Sequence, residues 1–245
     1  MNARRRFLEV PDPRARDVVD EVARLARQDR RAQGAVLATF RPWPGNLSWL
    51  VLAALLLPMA AYAATAAPDW EELLVRATIT AIAACSAAVF VVPSLFDRHR
   101  VCEHGLVLGF RGRSRYVVPW STLDPGRVRV VHRAPLIGRH RDESPSSPHY
   151  RTGLLTTRAL AVNGLDTAGA HRSPFTWWVL GTRRPQRLAE AIEAAMVADG
   201  YAAQGLAERA RRQAVVARWG RPAREPLPER AATDPVLGVD GPPLP

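Results

Sequence analysis

The sequence predicts an α+β membrane protein, with a two-helix transmembrane hairpin followed by a small β-barrel or sandwich and a C-terminal capping helix. Three observations carry that prediction. The runs Leu47 to Pro68 and Ala77 to Phe96 contain no charged residue. Behind them come short apolar and alternating segments punctuated by Gly and Pro. Pro185 then opens a stretch with Leu188, Ile192 and Met196 at helical spacing, stopped by Gly200.

Taken in order, residues 1–46 read as a basic cytoplasmic arm. Within it, Pro13 to Gln33 has Val18, Val22 and Leu25 on one stripe among arginines, the pattern of an amphipathic helix, ended by Gly34, Pro42 and Pro44. Beside a bilayer such a helix either lies on anionic headgroups or stays solvated, its charges serving topology.

The hairpin covers 47–96, with spans at about 47–67 and 76–96. A helix of about 20 residues at 1.5 Å per residue crosses a hydrocarbon core of roughly 30 Å. Buried core helices of a soluble domain rarely run so long without a charge, because one face meets water. Pro58 bends the first span, and small residues such as Ala60, Ala64, Ala83 and Ala87 let the helices approach closely. The connector Asp69-Trp70-Glu71-Glu72 is acidic, whereas arginines crowd the arms on either side. The positive-inside rule then places a multi-pass protein in the plasma membrane with both termini cytoplasmic. Arg76 is expected to snorkel to the outer interface.

From residue 98 the periodicity changes. Val101–Glu103, Leu106–Phe110, Arg115–Val118 and Arg127–Val131 read as strands separated by tight turns. Arg141 to His149, rich in Pro and Ser, reads as a loop, and strands return at Leu154–Val162 and Phe175–Leu180. Residues 201–220 predict a basic helix and 221–245, rich in Pro and small residues, a disordered tail.

The segments His104-Gly105-Leu106, Val118-Pro119-Trp120-Ser121 and Gly181-Thr182-Arg183-Arg184-Pro185 resemble the bacterial pleckstrin-homology-like (PH-like) domains. They are most similar to the actinobacterial kind that follows a two-helix membrane hairpin. The resemblance covers about 98–200 together with the hairpin. It implies a cytoplasmic interaction or scaffolding module without a shared catalytic residue set. It also implies that Trp120 plugs the core and that the Gly181-Thr182 turn launches the closing helix. The long Arg133 to Gly153 insertion departs from the compact pattern.

Composition excludes more than it identifies. The net charge is +11, but the basic residues are all arginine, spread along both arms, which reads as coding bias more than as a nucleic-acid footprint. No nucleic-acid partner is expected. His99, Cys102 and His104 form H-x2-C-x-H, yet no fourth ligand of the expected kind follows, so neither a metal nor a Cys–His nucleophile is expected. No cofactor is expected.

Two features remain as contact candidates. Arg111, Arg113 and Arg115 form a basic turn whose guanidinium forks suit a phosphate or an anionic lipid headgroup. Trp177-Trp178 places one indole inside the fold and one outside, so Trp178 joins those arginines as a possible lipid or partner contact.

The reading is therefore a non-enzymatic, membrane-anchored PH-like scaffold, with the bilayer and a protein partner or a second copy as its contacts. A headgroup sensor at the cytoplasmic membrane surface and a subunit of a larger membrane enzyme or transport complex are the alternatives.

Overall fold

The computed structural model describes residues 33–42, 46–65, 69–110, 114–137, 149–153, 156–166, 175–218, 227, 228 and 230. In chain order these form β1 (Val36–Phe40), α1 (Asn46–Ala64), α2 (Trp70–Phe96), β2 (Arg98–Cys102), β3 (Gly105–Phe110) and β4 (Ser114–Pro119). There follow β5 (Val128–His132), β6 (His149–Thr152), β7 (Arg158–Leu165), β8 (Phe175–Gly181), α3 (Pro185–Ala198), α4 (Leu206–Arg212) and β9 (Val215–Val216). The predicted arm helix lies outside the described residues.

Two sheets build the β region. The first has the order β1-β2-β3-β4 and is antiparallel throughout. The second has the order β6-β8-β7-β5-β9, with β6 parallel to β8 and β9 parallel to β5 at its edges. Val36 stands opposite Cys102 and Phe40 opposite His99. The whole α1–α2 segment is thus inserted between two neighbouring strands, its entry and exit held side by side.

The core lies between the sheets and under α3. Leu106, Leu108 and Val118 of the first sheet meet Val130, Leu160, Val162, Trp178 and Leu180 of the second. Leu188, Ile192 and Met196, the stripe at helical spacing, close it. Trp120 follows β4 and is fully buried, its indole Nε1 donating to the Glu103 carbonyl at 2.9 Å. Buried Trp needs such an acceptor, because the indole N–H is left unsolvated.

The second sheet is buried on its other face too. There Val131, Ala159, Ala161, Trp177 and Val179 form a further apolar layer with Ile137, Ala217 and Leu227. Strands covered on both faces carry near-continuous apolar runs, as in Trp177-Trp178-Val179-Leu180.

α1 and α2 pair with each other, as the short connector implies, but the bilayer-spanning reading is corrected. Among the described residues no helix is long and apolar enough to cross a membrane. Glu71, Glu72 and Arg76 stand in the first turns of α2. In α1, Pro58 stands inside the helix. The transmembrane fold class and the multi-pass plasma-membrane placement fall with those spans.

Arg76 has a different role from the interfacial one expected. It is 8% exposed and donates to the Thr65 carbonyl at 2.8 Å and the Tyr62 carbonyl at 3.3 Å. It also pairs with Glu72 and lies 4.6 Å from the Tyr62 ring centroid. One side chain thereby clips the end of α1 to the start of α2.

The C-terminal region departs from expectation as well. The basic helix ends at Arg212, and the chain then adds β9 to the sheet edge. Leu227, Pro228 and Arg230, inside the stretch expected to be disordered, pack against the second sheet.

Candidate anion-binding cleft

Of the contact candidates read from the sequence, Arg111 and Arg113 lie outside the described residues, as does the Arg115 side chain. Trp178 is fully buried, and its Nε1 donates to the Leu165 carbonyl at 3.1 Å. It stacks on Tyr150 at 4.8 Å between ring centroids. Trp178 is therefore a core residue and offers no surface. Its neighbour Trp177 points to the opposite face but is covered there.

The H-x2-C-x-H residues are drawn apart. His104 Nδ1 meets Asp199 Oδ1 at 2.8 Å, tying the β2–β3 turn to the end of α3. Cys102 packs with Val107 and Val117, and burial pushes its thiol pKa up, away from the reactive thiolate. Among the described residues no group of three or more His, Cys, Asp or Glu could hold a metal ion.

His99 is fully buried at the start of β2. Its Nε2 lies 3.1 Å from the Gly181 carbonyl and 3.1 Å from Thr152 Oγ1. A carbonyl only accepts, so the neutral ring carries its proton on Nε2. Nδ1 meets no partner among the described residues. Burial pushes the pKa down to about 4, the Gly181 hydrogen bond opposing it only in part. His99 thus fixes the strand end from which the turn into α3 departs. Gly181 is required there, because a Cβ would come within 2.7 Å of the Thr152 carbonyl oxygen.

That turn builds a cationic concavity. Thr182, Arg183 and Arg184 lead from β8 into α3, whose first turns present Arg187 and Glu190. Arg41, the residue after β1, closes the opposite wall beside Phe40. Together they line an open cleft of about 660 Å³, with four arginines against a single glutamate.

Each wall is held from below. Thr182 is 2% exposed and its N–H donates to the Arg158 carbonyl at 3.1 Å. Ala38 and Phe40 pack on the core that α3 covers, which brings Arg41 to the helix start. Pro185 occupies the first helical turn and Arg184 provides no side-chain cap. The first-turn amides and the positive end of the helix dipole therefore add to the arginines' field.

Chemically the cleft offers positive charge and N–H donors of the kind that suit an anion. Guanidinium forks match phosphate oxygens in pairs, and a helix N-terminus supplies further donors. Among the described lining residues Glu190 is the one carboxylate, beside the hydroxyls of Thr39 and Thr182. Sequence reading singled out Arg183 and Arg184 only as part of a turn and Arg41 only as arm charge; nothing in the spacing joined them.

Comparison with known protein families, curated proteins and solved structures finds no match to this chain.

Proposed function

We propose that the protein is a non-catalytic binding module whose arginine cleft captures a phosphate-bearing ligand. The observation that carries this reading is the convergence of Arg41, Arg183, Arg184 and Arg187 at the uncapped start of α3. Two further features support it. The cleft's arginines flank the buried Thr182 and the core-packed Phe40, which gives a ligand a fixed base. Two sheets sharing a core under a closing helix are also the arrangement that the resemblance to PH-like domains implies, and those are interaction modules.

The test is calorimetric titration of the full-length chain with pyrophosphate, beside the R184A/R187A variant. Saturable binding is expected, weakened at least about tenfold in the variant and by added salt, since these side chains are exposed. Pelleting with phosphatidylglycerol-doped phosphatidylcholine vesicles, in parallel, separates a lipid-borne phosphate from a free one. Equal affinity of both proteins for pyrophosphate rules the cleft out.

A further inference from the structure

The helical hairpin leaves apolar side chains in the open, and helical periodicity sorts them by face. On α2 the less exposed of the described side chains are Arg76, Thr80, Ala83 and Ala87, one stripe that meets α1. The matching stripe on α1 is Leu52, Leu56 and Met59. About a quarter-turn away on α2 stand Val75, Ile79 and Ile82, at i, i+4 and i+7. They are 54%, 42% and 61% exposed. Ser86 continues this stripe with a small side chain whose hydroxyl already donates to the Ile82 carbonyl at 2.7 Å.

Charge is polarised along the hairpin. Asp69, Glu71 and Glu72 stand at its tip, and Glu72 is taken by Arg76. At the root Phe40 stands opposite His99, which sets Arg41 and Arg98 level, and both are exposed. Residues 77–96, between tip and root, carry no charge.

We infer that the flank bearing Val75, Ile79 and Ile82 is the seam of a homodimer, in which two hairpins pack antiparallel about a twofold axis near Ala84. Three observations favour a second copy as the occupant. A twofold contact sets one surface against itself, and an uncharged apolar stripe is complementary to its own copy. The antiparallel order also brings Glu71 to the level of Arg98 of the partner subunit, at both ends of the seam. Parallel packing would set tip on tip and acid on acid, which is unfavourable. The area suffices as well. Two helices side by side, each about 10 Å wide, present a flank on the order of 560 Å² over the roughly 28 Å of α1, so two copies bury about 1,100 Å², just above the ~1,000 Å² that a specific interface needs.

The test is sedimentation equilibrium of the full-length chain in detergent-free buffer at tens of micromolar. The mass of two chains is expected. I79E/I82E should weaken the dimer by at least about tenfold. L50E, on the side of α1 away from α2, should leave it intact. Glu71→Arg should weaken the dimer too, and Arg98→Glu in the same chain should restore it, which a merely structural role for either residue would not do.

A natural chain that sediments at the mass of one copy, or as larger aggregates, overturns the inference. Equal losses in L50E and I79E/I82E overturn it too, as does a charge swap without rescue. Should I79E/I82E lose its circular dichroism, the swap alone decides, because both of its positions are exposed. Monomers that float with phosphatidylcholine vesicles would assign the flank to lipid and overturn the inference equally.

Discussion

The helical hairpin and the β region draw on the same apolar vocabulary and put it to opposite use. In α1 and α2, Leu50, Leu57, Trp70, Leu73, Val75 and Ile82 are exposed. In the β region every residue of β8 is buried. The hairpin helices pair with each other and are clipped at their tip by Arg76. The core between the sheets is closed by α3, and the second sheet's outer face also carries Leu227. Apolar residues announce a demand for burial, and the difference shows that only topology says whether the same chain meets it.

This contrast is breakable at several points. The largest effect is expected in the shared core. Trp120→Ala removes a fully buried side chain whose indole bonds Glu103, and should cost about 4 kcal/mol of denaturant-measured stability. A loss under about 1 kcal/mol would mean the two sheets do not depend on a common core.

The next test is pH. His99 has its folded pKa depressed to about 4 from 6.5, so the unfolded chain binds the proton first. Stability attributable to His99 is intact above pH 6.5 and drains as pH falls toward 4, by about 3 kcal/mol. Urea midpoints for the natural chain and His99→Gln should diverge across that window; parallel curves would remove His99 as the cause.

Gly181→Ala comes third. It forces a Cβ against the Thr152 carbonyl and should cost about 2 kcal/mol by thermal unfolding. The smallest effect belongs to the hairpin. Leu57→Ala, at a 68% exposed position, should shift the unfolding of the β region by no more than about 0.5 kcal/mol. A large shift there would show that the hairpin is covered by the β region after all.

Much of the β region is legible from local pattern. β3, β4, β5 and β8 fall within a residue or two of where alternation and turn residues put them, because those signals are carried by each segment's own residues, whereas β2 starts earlier than expected, at Arg98. β1 is not, since Val36–Phe40 lies between arginine-rich and Pro-rich stretches and pairs across the whole inserted hairpin. β6 hides at the end of a Pro- and Ser-rich run and joins the sheet edge in parallel. The Trp177-Trp178 pair shows the same limit. Alternation places one indole on each face, but nothing local says that Leu227 and Pro228 return to cover the outer one.

The cleft was the least legible feature. A contiguous run such as Arg111-Gly112-Arg113 stands out in a sequence, whereas Arg41 and Arg187 become neighbours only because β1 and α3 close on one core. Charge clusters that function as sites are assembled by tertiary contact, and an arginine-rich chain offers many decoys.

The proposed anion site joins Arg41 and Arg187, far apart in sequence, in one cleft. A double-mutant cycle on pyrophosphate binding with R41A, R187A and R41A/R187A tests it most directly. Each single change should weaken binding, and the pair should couple by more than about 0.5 kcal/mol, as for residues sharing one ligand. Binding indifferent to Arg41, or strictly additive losses, would contradict it.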